Sequence, residues 1–193
     1  MEEPTKGKGK AKKLIETATA KKKAGVNQTL KDEIIQICKK TDEPCEMLKS
    51  FFLNIVHEDK YKKEILLVTS VTALACLMNE PSEVNKKKEK VKEKMSGFSR
   101  SLKPLADGGP EEQLILLNAL QESLIMEKLQ RGSLLRWFMT LYDEEVVQEE
   151  VFLKWKEEVD PRYEGKGEAL IQVNKWLTWL EQADEESEED DEG

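Results

Sequence analysis

Two stretches of the sequence combine carboxylates with large aromatic side chains. The first runs from Leu141 to Trp155 and reads LYDEEVVQEEVFLKW; the second runs from Trp176 to Glu186 and reads WLTWLEQADEE. Clustered carboxylates attract lysine ammonium groups, and aromatic rings can pack against the aliphatic stems of the same lysines. The stretches therefore predict a docking surface for basic segments. Its candidate residues are Tyr142, Asp143, Glu144, Glu145, Glu149, Glu150, Trp155, Trp176, Trp179, Glu181, Asp184, Glu185 and Glu186.

The apolar spacing of the first stretch predicts an amphipathic helix. Val147, Val151 and Trp155 recur at i, i+4 and i+8, so they form one stripe that faces a core. Glu145 and Glu149 then lie one turn apart on the solvent side, where like charges repel by a few tenths of a kcal/mol. The charge run is either a solvated face or a surface whose repulsion a basic partner relieves. The second acidic stretch favours the partner.

The last helix carries a buried seam and one tryptophan that does not fit it. Trp176 flanks the seam, whereas Trp179 lies roughly 130° from its centre at about 100° per residue. Trp179 is therefore either covered by the chain that follows or exposed as an interface anchor, and the sequence leaves both open. The seam consists of Leu170, Val173, Leu177 and Leu180.

Composition limits the class of protein. The 193 residues are 38% hydrophobic and 36% charged, which predicts one domain plus charged tails. No apolar run approaches 18 residues and no signal peptide is visible, so we expect a cytoplasmic protein. Cys38, Cys45, Cys76 and the single His57 lack the spacing of a metal site, and we expect reduced thiols, no metal and no cofactor. No nucleophile has a neighbouring base, so we expect no enzyme.

The net charge of −8 hides three unlike regions. Residues 1–25 carry eight Lys against three acidic residues, and they contain almost no large apolar residues, which predicts disorder. Residues 26–140 are nearly neutral, whereas residues 141–193 carry five basic against 19 acidic residues. This polyanionic third repels nucleic acid and favours a lysine-rich partner. Its end, residues 184–193, is predicted to be a disordered acidic tail.

Helical patterns fill residues 26–183, without convincing strand alternation. Short turns join the helices in antiparallel pairs, which predicts an all-α, HEAT-like α-solenoid. Predicted caps are Thr29 for the first helix and Asp42, followed by Pro44, for the second. A third helix, about 61–78, is apolar nearly all round and should be central. The fourth is predicted over about 83–95 and a loop over 96–109, with Pro110 opening the fifth.

From about Leu102 to the C-terminus the sequence resembles the aromatic and acidic-box domain, called W-two, of translation initiation factors. The resemblance rests on EEVFLKWKEE, GKGEAL, QVNKWLTWLE and an acidic terminus, in that order. Within that group, the sequence looks most similar to the death-associated, gamma-two branch of the initiation factor four gamma family. The resemblance implies a stack of HEAT-type helix pairs and two boxes, at 142–155 and 176–186. In that family the boxes bind lysine-rich segments of the initiation factor two beta subunit, or MAP kinase-interacting kinases.

The main functional hypothesis is therefore a noncatalytic scaffold module in translation initiation and its regulation. Three alternatives stay open at this point. One is guanine nucleotide exchange on initiation factor two, as a related domain performs, and another is docking of a MAP kinase-interacting kinase. The third is weak RNA contact through the lysines of segment 86–94 and of the N-terminus.

Overall fold

The computed structural model describes residues 25–41, 43–84 and 87–189, without the side chains of Ser82, Val84 and residues 184–189. Every regular element in these ranges is a helix, and no strand occurs in them. The helices are α1 (Gln28–Lys40), α2 (Pro44–Glu58), α3 (Lys63–Asn79), α4 (Pro81–Val84), α5 (Lys88–Ala106), α6 (Pro110–Met126), α7 (Ser133–Asp143), α8 (Glu149–Glu157) and α9 (Lys166–Glu189).

The eight longer helices form two rows. One row contains α1, α3, α6 and α8, and the other contains α2, α5, α7 and α9; each helix packs on the next in its row. Four pairs, α1–α2, α3–α5, α6–α7 and α8–α9, join the rows. This ladder of helix pairs confirms the predicted HEAT-like α-solenoid.

The centre of the ladder is α3, which packs against α1, α5 and α6. Twelve of its 17 residues are buried, including every residue from Leu66 to Ala75. A helix that is apolar nearly all round must be covered on several sides, so the prediction of a central third helix is confirmed.

The predicted loop over 96–109 is wrong for residues 96–106, and only residues 107–109 connect α5 to α6. The helix continues as α5 to Ala106, and Met95, Phe98, Leu102 and Leu105 form one buried stripe along it. Gly97 is needed for close packing, because a Cβ there would overlap the Cys45 thiol of α2. Gly97 therefore serves tight helix packing, and burial of the stripe outweighs the weak helix preference of this segment.

The starts of α1 and α2 differ in how far they match the predicted caps. Asn27, not Thr29, caps α1: its side-chain oxygen accepts a hydrogen bond from the Leu30 amide at 3.0 Å. Asp42 lies outside the described residues, and Pro44 occupies the first position of α2 as expected.

The cysteines are free and half-buried. Burial raises the pKa of Cys38 to about 12 and that of Cys76 to about 11, so both thiols stay protonated near neutral pH. In the described ranges, no group of His, Cys, Asp or Glu side chains is arranged to hold a metal ion. None of the helices in that part of the chain has the length and apolarity that a bilayer crossing requires.

The predicted tails fall largely beyond what the structure describes. Residues 1–24 and 190–193 lie outside the described residues, so disorder there stays a prediction. The backbone of α9 continues to Glu189, six residues past position 183, where the sequence pattern places the end of the domain.

Candidate protein-binding surface

The first acidic stretch is not one helix. Helix α7 ends at Asp143 and α8 begins at Glu149, so the predicted continuous helix, with Glu145 one turn from Glu149, is wrong. Val146 and Val147, in the connection between the two helices, are both buried. Their burial fixes the connection to the core where the chain turns from α7 to α8. We call residues 143–150 the acidic turn. It presents the carboxylates at a corner of the fold, where α7 passes to α8.

The corner is built by a helix-ending hydrogen-bond pattern. The Glu145 amide donates to the Tyr142 carbonyl at 3.0 Å, and the Val146 amide donates to the Leu141 carbonyl at 2.9 Å. This is the Schellman arrangement, in which the residue at the position of Glu145 adopts a left-handed conformation and is usually glycine. Glu145 has a φ of 52°. A carboxylate thus occupies a position where the backbone favours glycine, at a cost of about 1–2 kcal/mol.

Replacing Glu145 by glycine is expected to stabilise the fold and to lower the affinity for any basic ligand. Relief of the left-handed strain outweighs the greater freedom of glycine in the unfolded chain, so the free energy of unfolding should rise by about 0.5–1 kcal/mol. Urea denaturation measures this change. Glu145→Asn is the control for the loss of charge. Asparagine removes the carboxylate but keeps a side chain, and it tolerates the left-handed conformation. A less stable Glu145→Gly variant would contradict the assignment of strain.

The five carboxylates of the acidic turn differ in their availability. Asp143, Glu145 and Glu150 are exposed. Glu144 forms a two-pronged ion pair with Arg100 of α5, with distances of 3.1 and 3.0 Å to its two oxygens. Glu149 accepts a hydrogen bond from the Tyr142 hydroxyl at 3.1 Å. The three exposed carboxylates are therefore the ones best placed to meet an external cation.

A mixed-charge groove borders one side of the acidic turn. It has a volume of about 540 Å³, and Asp143, Glu144 and Glu145 form its acidic wall. The rest of the charged lining comes from Lys49 of α2, from Arg100 and Lys103 of α5, and from Asp107 just after α5. Basic residues of the chain itself thus offset part of the negative field on this side.

Aromatic rings connect the two predicted boxes. Tyr142 of α7 contacts Trp176 of α9, with ring centroids 5.8 Å apart, and Phe152 of α8 lies 5.1 Å from Trp176. Phe138 and Trp155, 4.9 Å apart, complete this aromatic cluster. Edge-to-face contacts of this kind are each worth about 0.5–1.5 kcal/mol beyond area burial. The boxes are consequently parts of one packed unit.

Trp155 is a core residue of this cluster. It is 0% exposed, and its indole NH donates to the Gln121 side-chain oxygen at 3.1 Å. The Lys166 ammonium lies 3.4 Å from the ring centroid and donates to the Trp155 carbonyl. Burial lowers the pKa of Lys166 to about 8. A predicted contact residue is thus enclosed by the chain itself, and it supports the surface from beneath.

Gln121 is a positioning residue that the sequence pattern did not reveal. Its side-chain amide donates to the Tyr163 and Glu164 carbonyls at 3.2 and 2.8 Å, while its oxygen accepts from Trp155. It therefore ties α6 to α8 and to the segment that leads into α9. Gln121 is one of several polar residues in the leucine-rich helix α6, and nothing in the sequence distinguishes it from the others.

The second box presents one covered and one open tryptophan. Trp176 is half-buried in the aromatic cluster, whereas Trp179, one turn along α9, is 54% exposed. Glu181 pairs with Lys156 of α8 at 2.6 Å. Asp184, Glu185 and Glu186 continue α9, and their side chains lie outside the described residues.

The parts that face solvent define an acidic-aromatic surface. It combines accessible carboxylates with two half-open rings and one open indole, at the C-terminal end of an all-helical HEAT-like domain. Its members are Tyr142, Asp143, Glu145, Glu149, Glu150, Trp176 and Trp179.

Comparison with known proteins identifies the domain. Residues 112–190, from the first turn of α6 to one residue past α9, match the family described as "W2: eIF4-gamma/eIF5/eIF2-epsilon". These residues form a W2 domain, and the chain is homologous to the initiation factor 4 gamma family.

Relatives from mammals show how far the similarity extends. Eukaryotic translation initiation factor 4 gamma 2 of Homo sapiens is 32% identical over 173 residues, which cover 84% of this chain and 19% of the relative. Eukaryotic translation initiation factor 4 gamma 3 of Mus musculus is 48% identical over 86 residues, 43% of this chain and 5% of the relative. The chain thus spans about a fifth of the length of the first of these relatives.

Proposed function

We propose that this chain is a noncatalytic interaction module of translation initiation and its regulation. Its acidic-aromatic surface binds a lysine-rich segment of a partner protein. The proposal draws on homology with initiation factors and on the geometry of the surface.

One observation carries the proposal. The Tyr142 hydroxyl contacts the Glu149 carboxylate at 3.1 Å, and the Tyr142 ring lies 5.8 Å from the half-exposed Trp176 ring. A lysine laid across these groups would place its methylene stem on two aromatic rings and its ammonium beside a carboxylate. The exposed Asp143, Glu145 and Glu150 supply charge for further lysines.

Electrostatics sets the character of the binding. Exposed ion pairs contribute about 0.2–1 kcal/mol each, so several are needed for a useful affinity. The excess of 19 acidic over five basic residues after position 140 steers a cationic segment toward this end of the chain. Binding should therefore be fast and strongly dependent on salt.

The partner that the family resemblance implies is the lysine-rich part of the initiation factor two beta subunit, in the cytoplasm. A basic segment of a MAP kinase-interacting kinase would satisfy the same surface. Nucleotide exchange on initiation factor two is the catalytic alternative, and a GDP-release assay separates it from binding alone.

Calorimetric titration with a lysine-rich peptide tests the proposal. We expect binding at low ionic strength that weakens roughly tenfold at physiological salt, because exposed charges are screened beyond about 8 Å there. A matched peptide with Gln in place of Lys should not bind. Binding that is insensitive to salt, or equal for the two peptides, would contradict the proposal.

A further inference from the structure

A second groove meets the acidic turn at Asp143 and is otherwise lined by residues outside the acidic-aromatic surface. It has a volume of about 590 Å³ and runs between α5 and α7, which are neighbours in one row. On α5 it is lined by Lys88, Val91, Lys92 and Met95, spaced at i, i+3, i+4 and i+7; on α7 it is lined by Arg136, Met139, Thr140 and Asp143, at the same spacing. Matching stripes on two adjacent helices form a channel that could accept a third helix.

The floor of this groove is apolar and adaptable. Val91 and three methionines, Met78, Met95 and Met139, contribute to it, and Met139 is 41% exposed. Methionine side chains are flexible and polarisable, and they recur at surfaces that bind apolar side chains of varied shape. The exposed Met139 beside the half-buried Val91 and the buried Met78 and Met95 is therefore an incomplete packing layer.

The rim of the groove is basic, although the chain as a whole is acidic. Lys88, Lys92 and Arg136 are exposed on it, against the single carboxylate of Asp143 at one end. Within the described residues, none of these three cations forms an ion pair with a carboxylate. Arg136 does donate to the Ser133 hydroxyl at 3.1 Å. Three cations without carboxylate partners flank an apolar floor.

We infer that the groove between α5 and α7 binds an acidic amphipathic helix of a partner protein. Apolar side chains of the partner at i, i+3, i+4 and i+7 would fill the methionine floor, and flanking carboxylates would face Lys88, Lys92 and Arg136. The charge preference is opposite to that of the acidic-aromatic surface. The domain would thus hold one basic and one acidic segment on neighbouring surfaces that meet at Asp143.

Charge and composition argue against occupants from the chain itself. The acidic end, residues 184–193, contains no large apolar residue to fill the floor, and residues 1–25 are net basic. In a second copy, the described side chains of α9 include two exposed large apolar ones, Ile171 and Trp179, which are eight positions apart and do not form an i, i+3, i+4, i+7 stripe. RNA fits poorly, because no aromatic ring lines the groove to stack a base.

A designed peptide tests the inference on the full chain. The probe is a labelled helical peptide of about 15 residues, with Leu at i, i+3, i+4 and i+7 and Glu at the flanking positions. Fluorescence anisotropy should show binding that falls about tenfold in Met139→Glu and in Lys92→Glu, the two substitutions being at exposed sites. Met47→Glu and Lys175→Glu, exposed on α2 and α9, are the matched controls and should change affinity less than about twofold.

Three outcomes would overturn the inference. The first is equal binding of a peptide whose Glu residues are replaced by Lys. The second is that the peptide does not bind, whereas a uridine oligonucleotide binds and loses affinity in the Met139→Glu variant. The third is a concentration-dependent dimer that Met139→Glu dissociates, which would assign the groove to a second copy. Unchanged affinity of Met139→Glu for the lysine-rich peptide shows that the variant is folded and that the two surfaces are independent.

Discussion

Replacing Trp155 by alanine is expected to lower the free energy of unfolding by about 3–5 kcal/mol. The indole is 0% exposed and touches three neighbours of different kinds: the Phe138 ring, the Gln121 side chain and the Lys166 ammonium. Removing it opens a cavity beneath the acidic-aromatic surface and leaves the Gln121 oxygen without its donor. Marginal domains have about 5–15 kcal/mol of stability in total, so much of it would be lost.

Urea denaturation of the variant, followed by circular dichroism, measures this loss. Trp179→Ala is the matched control: the same substitution at a side chain that is 54% exposed should change the free energy of unfolding by less than about 0.5 kcal/mol. Trp155→Phe keeps most of the ring volume and loses the indole NH, so an intermediate cost of about 1–3 kcal/mol is expected. Similar values for Trp155→Ala and Trp179→Ala would show that Trp155 is not enclosed as described.

Reversing the three exposed carboxylates of the acidic turn should abolish most binding of a lysine-rich peptide. In the triple variant Asp143→Lys, Glu145→Lys, Glu150→Lys, each site loses an attraction of about 0.2–1 kcal/mol and gains a repulsion of similar size. The sum, about 1–6 kcal/mol, corresponds to a loss of affinity of roughly tenfold to ten-thousandfold. The residues are exposed, so the free energy of unfolding should change little.

A second triple variant controls for net charge. Asp32→Lys, Glu43→Lys and Glu58→Lys change the total charge by the same amount at exposed sites on or beside α1 and α2, the first pair of the ladder. The affinity for the lysine-rich peptide should fall much less in this variant, because only long-range electrostatic attraction is lost. Physiological salt should restore most of that lost affinity relative to the unmodified chain. Equal losses in the two triple variants would mean that overall charge, rather than the acidic turn, governs binding.

Periodicity predicted the architecture well because burial sets it. The all-round apolar pattern of α3 and the seam of α9 required cover on definite sides, and the short connections allowed only antiparallel neighbours. Trp179 was singled out for the same reason: its angle does not fit the seam, and it is exposed. The sequence left two alternatives for Trp179, burial by the chain that follows or exposure as an interface anchor. Burial by the chain that follows is wrong, because the backbone continues as helix α9 and Trp179 is exposed.

Local signals failed where tertiary contacts decide. The spacing of the apolar residues around the acidic turn is typical of one continuous helix, but the helix stops there. Val146 and Val147 are buried in the connection between α7 and α8, outside both helices. Gly97 reads as a helix breaker, yet it permits contact between α5 and Cys45 of α2. The apolar stripe correctly directed Trp155 toward a core, but it did not reveal that Gln121, 34 residues earlier in the chain, accepts a hydrogen bond from the Trp155 indole. No local pattern reports such distant partners.

The indole NH resonances of the four tryptophans offer the most direct test of the central claim. In a ¹⁵N-labelled chain titrated with the lysine-rich peptide, the signals of Trp176 and Trp179 should shift, because their rings reach the acidic-aromatic surface. The signals of Trp137 and Trp155, 1% and 0% exposed, should stay in place. Binding that leaves Trp176 and Trp179 unmoved would contradict the account and locate the basic partner elsewhere on the chain.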